Sequence, residues 1–89
     1  LGDAHAELND LEKAVDYYNK AAKADNNDLT TPFYLKKAGM VYESLNQHDK
    51  AYAAYKNIND NYKESIEAND IEKFLYRAGA KIGKTGFEN

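Results

Sequence analysis

Cysteine is missing from this 89-residue chain, so disulfides and thiolate metal sites are excluded and the redox compartment stays open. Tryptophan is missing too, and there are one proline and five glycines. So few breakers, set among abundant Ala, Lys, Glu and Leu, favour helix. No apolar run approaches the roughly 18 residues of a membrane span and no signal peptide is visible, so membrane insertion by this segment is not expected. Positive charge is in short supply: 12 Lys and Arg against 15 Asp and Glu leave a net charge of -3. That excludes a nucleic-acid surface as the leading expectation. Hydrophobic residues at 43% and charged residues at 30% make an ordinary soluble balance. The length allows one domain, near the lower end of what can bury a useful core.

What is present is self-similarity. At an offset of 37 residues, Gly2 falls on Gly39, Leu8 on Leu45, Asn9 on Asn46, Ala14 on Ala51 and Tyr18 on Tyr55. At an offset of 40, Leu35, Ala38, Gly39 and Tyr42 fall on Leu75, Ala78, Gly79 and Ile82. A period of about 20–50 residues is the mark of stacked repeats. Stacked repeats build extended surfaces, and these usually serve recognition.

The spacing predicts helical segments throughout. Leu1 to Leu8 reads as the end of a helix, followed by a break at Asn9-Asp10 with Asp10 as cap. A second helix runs from Leu11 to Ala24, with Leu11, Ala14, Val15, Tyr18, Ala21 and Ala22 at the spacing of one helix face. The polar run Asp25 to Asp28 ends it. Thr31 is the expected N-cap and Pro32 the first residue of the next helix, which carries Leu35, Ala38, Gly39 and Tyr42 inward to about Leu45. Asn46-Gln47-His48 forms a turn, and Asp49 caps a helix with Ala51, Tyr52, Ala54, Tyr55 and Ile58 on its apolar side. Asn59 to Asn61 is read as a polar connection. The last helix spans about Ser65 to Ile82, with Ile71, Leu75, Ala78 and Ile82 as its stripe. The tail 84–89 is expected to fray.

Short turns between these helices make antiparallel hairpins, which close only where small residues let the helices cross. Gly39 and Ala51 are placed to do so, with Leu35, Tyr42, Leu45 and Tyr55 filling the space beside them. The pattern Leu35, Ala38-Gly39, Tyr42, Ala51, Tyr55 and Ile58 resembles the tetratricopeptide repeat. An earlier copy is Leu1-Gly2, His5, Ala14, Tyr18 and Ala21. The resemblance covers nearly the whole chain. It implies an all-α fold of antiparallel helical hairpins stacked as a short right-handed α-solenoid, about two repeats plus a capping helix. The divisions are a truncated first repeat at 1–28, a complete repeat at 32–62 and a capping helix at 65–83. By this resemblance the chain is a C-terminal piece of a longer protein, and either the cytoplasm or an envelope-associated location would suit it.

Some positions depart from that pattern. Asn9 and Asn46 stand where the family has glycine in its tight turn, and asparagine tolerates the left-handed conformation. The proline usually found after the second helix is Asn26 or Lys63. Both spacings exceed the family's, by three and six residues. Of the eight tyrosines, Tyr18, Tyr42 and Tyr55 lie on the packing stripe. Tyr17, Tyr34, Tyr52, Tyr62 and Tyr76 lie off it, and packing is expected for all of these but Tyr76.

No catalytic or metal constellation emerges, and neither an enzyme nor a cofactor is expected. His5 occupies a packing position, His48 lies in a turn, and neither belongs to an HExxH or similar arrangement. The run Asp25 to Thr30 lacks the glycine of a calcium loop, and Lys36 stands where its bidentate Glu should be. Gly83-Lys84-Thr85-Gly86 lacks the spacing of a phosphate loop.

The resemblance implies a partner protein or peptide on the concave face made by the first helix of each repeat. By position that face holds Asp3 and Glu7, then Phe33, Lys36, Lys37, Met40 and Glu43, then Lys73, Tyr76 and Arg77. Its acidic end comes first and its basic end last. Lys36, Lys37, Lys73 and Arg77 together suit an acidic or C-terminal carboxylate peptide. The carboxylate clamp of some family members is not expected, because Met40 stands where an asparagine is wanted. The alternative is self-association, as a homodimer or within a larger assembly, since at least three repeats are normally needed for a stable stack.

Overall fold

The computed structural model describes residues 8–24 and 26–83. Expectations for Gly2, Asp3, His5, Glu7 and the tail 84–89 lie outside these residues. Among the described residues there are four α-helices: α1 (Leu8–Ala24), α2 (Thr30–Ser44), α3 (His48–Asn61) and α4 (Ile71–Lys81), with a 3-10 helix at Ile66–Asp70 leading into α4. Each helix packs chiefly on its neighbours in sequence, α1 on α2, α2 on α3 and α3 on α4. The molecule measures 34 × 32 × 19 Å, and its thin dimension is that of two helix layers at about 10 Å each.

Several boundaries differ from the sequence reading. No break occurs at Asn9-Asp10. Both residues lie inside α1, where the Asp10 carboxylate complements the positive end of the helix dipole instead of capping a new helix. Thr31 is not the N-cap of α2. Leu29 holds the cap position, and the side chain that satisfies the first amides is that of Asn27, whose Oδ1 accepts from Leu29 at 2.9 Å and Thr30 at 2.7 Å. Thr31 is buried and its hydroxyl does a different job, accepting from the Asn27 amide at 2.9 Å and donating to the Ala22 carbonyl at 3.3 Å. Pro32 sits in the first turn of α2 but is not its first residue; its missing N–H is still harmless there.

The turn between α2 and α3 lies at 45–47: Asn46 and Gln47 are in it as expected, whereas His48 is already the first residue of α3. Asn46 adopts φ 61°, the left-handed conformation. The Gln47 amide reaches back to the Tyr42 carbonyl at 2.8 Å and the Asn46 amide to the Glu43 carbonyl at 3.0 Å, the paired bonds of a Schellman motif. Asp49 is a first-turn residue of α3 and not its cap, since Gln47 occupies the cap position. Asn59 to Asn61 continue α3 rather than connecting it to the next element. The expected last helix is two pieces. Ser65 caps the 3-10 helix by accepting from the Ala68 amide at 3.2 Å, and α4 follows from Ile71. Past α4, Gly83 takes φ 83°, a conformation that glycine adopts without strain.

The core lies between α3 and α4. Ala51, Tyr52, Tyr55 and Ile58 from α3 meet Ile71, Phe74, Leu75 and Ala78 from α4, and Leu35, Tyr42, Ala68 and Ile82 pack against them. Burying a side chain the size of Leu75 or Ile58 contributes about 1.5–3 kcal/mol. Polar links cross the layers: Asn19 Nδ2 donates to Tyr42 Oη at 2.8 Å, and Tyr62 Oη to Asn26 Oδ1 at 2.7 Å. Tyr17 departs from the packing expectation. It is largely exposed, touching Tyr18 and Tyr34 edge-on.

Candidate functional site

The face shared by α2, the 3-10 helix and α4 carries Phe33, Lys36, Lys37, Met40, Glu43, Lys73 and Arg77. Phe33, Lys36, Lys37 and Met40 of α2 line a cleft of about 460 Å³ whose other wall is Ile66, Glu67, Asn69 and Asp70 of the 3-10 helix. Phe33, Lys37 and Met40 recur every three to four residues, so one face of α2 presents them all outward. Phe33 and Met40 are both exposed, and Lys37 Nζ lies 5.5 Å from the Phe33 ring centroid.

Lys36 is held across the cleft. Its Nζ lies 2.9 Å from Asp70 Oδ1, and this hydrogen bond keeps the Asp70 carboxyl below the usual aspartate range, with Lys73 adding to the effect. Farther along, Arg77 grips Glu43 with two bonds, Nε to Oε2 at 3.0 Å and Nη2 to Oε1 at 2.6 Å. Tyr55 donates its hydroxyl to the same Glu43 Oε1 at 3.1 Å. Burial pushes the Tyr55 phenol well above its ordinary range, and the negative charge of Glu43 pushes it the same way. Glu43 therefore turns its carboxylate inward, with its side chain 15% exposed against 52% for Arg77.

Three cations gather around one aromatic ring. Lys36 Nζ and Arg77 Cζ each lie 4.7 Å from the Phe74 centroid, and Lys73 Nζ lies at 5.6 Å. Phe74 itself is nearly buried and lies 5.3 Å, centroid to centroid, from Tyr55. Sequence reasoning missed Phe74 as a site residue, along with Ile66 and Asp70. For Phe74 the signal was available, since it stands three residues after Ile71 and one before Leu75 on the stripe that was recognised. For Asp70 there was none, because only the fold brings it to Lys36.

The basic cluster is thus balanced from within. Lys36, Lys37, Lys73 and Arg77 share this face with Glu43, Glu67 and Asp70, four positive charges against three negative. Tyr76 stands exposed on α4. Such a surface offers apolar contact and point charges for recognition. Among the described residues, no group of three or more His, Cys, Asp or Glu is placed to hold a metal ion, and no helix is long and apolar enough to cross a membrane.

Comparison with known families gives two matches, both described as tetratricopeptide repeat, over residues 1–28 and 36–65. No match was found among curated proteins or solved structures. The second match runs from α2 through α3, the hairpin that Asn46 turns and Gly39 allows to close. Together the two matches take in most of the chain and meet an all-helical structure of packed hairpins, so the chain belongs to the tetratricopeptide-repeat family.

Proposed function

We propose that the protein is a non-catalytic interaction module that holds a protein or peptide segment on the face of α2 and α4. Tetratricopeptide repeats generally mediate protein–protein interaction and are typically non-catalytic. The observation that carries the reading is the cleft beside α2, where Phe33 and Met40 stay exposed although the core is only one helix layer away. Exposed apolar side chains gathered in a cleft and rimmed by charges are the usual makings of a recognition surface. Phe33 and Met40 serve as anchors, while Lys37 and Lys73 attract acidic groups flanking the bound segment. Lys36 and Arg77 contribute less to that attraction, because Asp70 and Glu43 already neutralise them. Glu43 supports the face from below.

Replacing Phe33 and Met40 together by Asp tests the reading. Partner capture should fall sharply while the helical circular dichroism stays unchanged; undiminished capture would sink the assignment. Reversing Lys37 and Lys73 to Glu should weaken capture in a salt-dependent way. Self-association is the competing use of the same surface. Sedimentation over a concentration series distinguishes it, since only self-association makes the apparent mass rise with concentration.

A further inference from the structure

We propose that the protein has a second docking surface, at the edge formed by its interhelical connections, that takes a basic segment presenting large apolar side chains. This goes beyond the α2–α4 reading and does not depend on it. The surface is a cleft of about 390 Å³ between the connection leading into α2 and the connection leaving α3. Leu29 stands on one wall and Ile66 on the other, 83% and 81% exposed. Among the described residues no other large hydrophobic is so open to water. Side chains of this size are usually exposed singly; here two share one cleft.

The walls are fixed before anything binds. Asn27 Oδ1 holds the amides of Leu29 and Thr30, which sets the position of Leu29. Ser65 Oγ donates to the Tyr62 carbonyl at 2.7 Å and accepts from the Ala68 amide, which sets the start of the 3-10 helix and so Ile66. Tyr62 Oη then ties one connection to the other through Asn26 at 2.7 Å. A ligand entering this cleft orders little that is not already ordered, so less of the contact energy is lost to conformational entropy.

Charge selects the occupant. Asp28, Glu64 and Glu67 line the cleft against a single lysine, Lys63, leaving it net negative. An acidic segment or an anionic lipid surface would be repelled. A second copy of this chain, with its net charge of -3, would approach against its own field. A segment with lysines or arginines flanking a leucine or isoleucine satisfies both the apolar walls and the carboxylates. The two clefts share Ile66 and Glu67 as a common wall, so partners on the two surfaces would lie side by side.

The test uses three short fluorescein-labelled peptides with the protein. One carries leucines flanked by lysines, one has the lysines replaced by glutamates, and one has the leucines replaced by serines. The lysine–leucine peptide should bind at least about tenfold tighter than either companion by fluorescence anisotropy. Amide chemical shifts should move at Leu29 and from Lys63 to Glu67. Glu64→Lys combined with Glu67→Lys should reverse the charge preference, and Ile66→Ser should weaken binding without altering helicity. Equal binding of the serine peptide would reduce the effect to charge alone and overturn the proposal, as would no binding at all. Shifts centred on Phe33 and Met40 instead would overturn it too, while leaving the α2–α4 reading standing.

Discussion

Gly39 of α2 lies against the ring of Tyr55 in α3 so closely that a Cβ on residue 39 would sit 2.5 Å from Tyr55 Cε1 and 2.8 Å from Cζ. Tyr55 is fully buried, with its hydroxyl held by Glu43, so the ring has nowhere to go. Alanine at position 39 should therefore destabilise the protein even though it is the better helix former. Overpacking costs about 1–3 kcal/mol and the gain in helix propensity returns about 1, leaving a net loss of up to about 2 kcal/mol. Urea denaturation measures it. Gly39→Ala in a Tyr55→Leu background should cost less than in the parent, and equal costs in both would contradict the contact.

The bidentate pair of Glu43 and Arg77 should prove lopsided. Arg77 is half exposed, so Arg77→Met should cost about 1 kcal/mol or less, as exposed ion pairs do. Glu43→Ala should cost about 1–3 kcal/mol, because it strips the buried Tyr55 hydroxyl of its acceptor. Glu43→Ala in a Tyr55→Phe background should be milder. Similar losses for the Arg77 and Glu43 variants would mean that the ion pair, and not the buried hydroxyl, sets the energy.

Tyr55 should also mark the alkaline limit of the fold. Burial and Glu43 raise its phenol above the ordinary tyrosine value of about 10, which the unfolded chain retains. The folded state then holds a proton that the unfolded state releases. The stabilisation is complete below about pH 10 and declines as pH climbs above it. In a native titration followed by phenolate absorbance, the Tyr55 signal should be withheld until the protein unfolds. Tyr55→Phe should flatten the decline in stability above pH 10; an unchanged decline would assign it to other groups.

Asp70 gives the opposite sign. Its carboxyl is lowered by the Lys36 hydrogen bond, so what it contributes is present above the unfolded aspartate value of about 3.9 and is lost as pH falls toward the folded value. Carboxyl chemical shifts should show Asp70 titrating below the ordinary range. Lys36→Met should move it back up, and the same midpoint in both proteins would remove the Lys36 pairing from the solution structure.

The hairpin of α2 and α3 was legible in the sequence because its determinants are local or periodic. The recurring Gly and Ala, the aromatic pair Tyr42 and Tyr55, and an asparagine able to turn left-handed all sit at fixed spacings. Capping was less legible. Thr31-Pro32 has the form of a helix start, yet Asn27 lies where its side chain reaches the amides of Leu29 and Thr30, and that competition is decided by geometry. The extent of α1 was misread for a related reason, since Asn9-Asp10 is as compatible with a first helical turn as with a break. At the site, the α2 positions came from the resemblance to the repeat family, carried over by position, and their spacing puts Phe33, Lys37 and Met40 on one face of the helix. The pairing of Lys36 with Asp70 and of Arg77 with Glu43 joins residues 34 apart in each case, and nothing in the spacing announces it. A cluster that read as a free basic patch is for this reason nearly neutral.

Photo-crosslinking tests the central claim most directly. A photoreactive amino acid is placed at Met40, on the proposed binding face, and in a second protein at Lys20, exposed on α1. With the partner present, a covalent adduct at position 40 and none at position 20 is the expected result. Adducts at 20 and none at 40 would contradict the assignment of the α2–α4 face as the surface through which this protein acts.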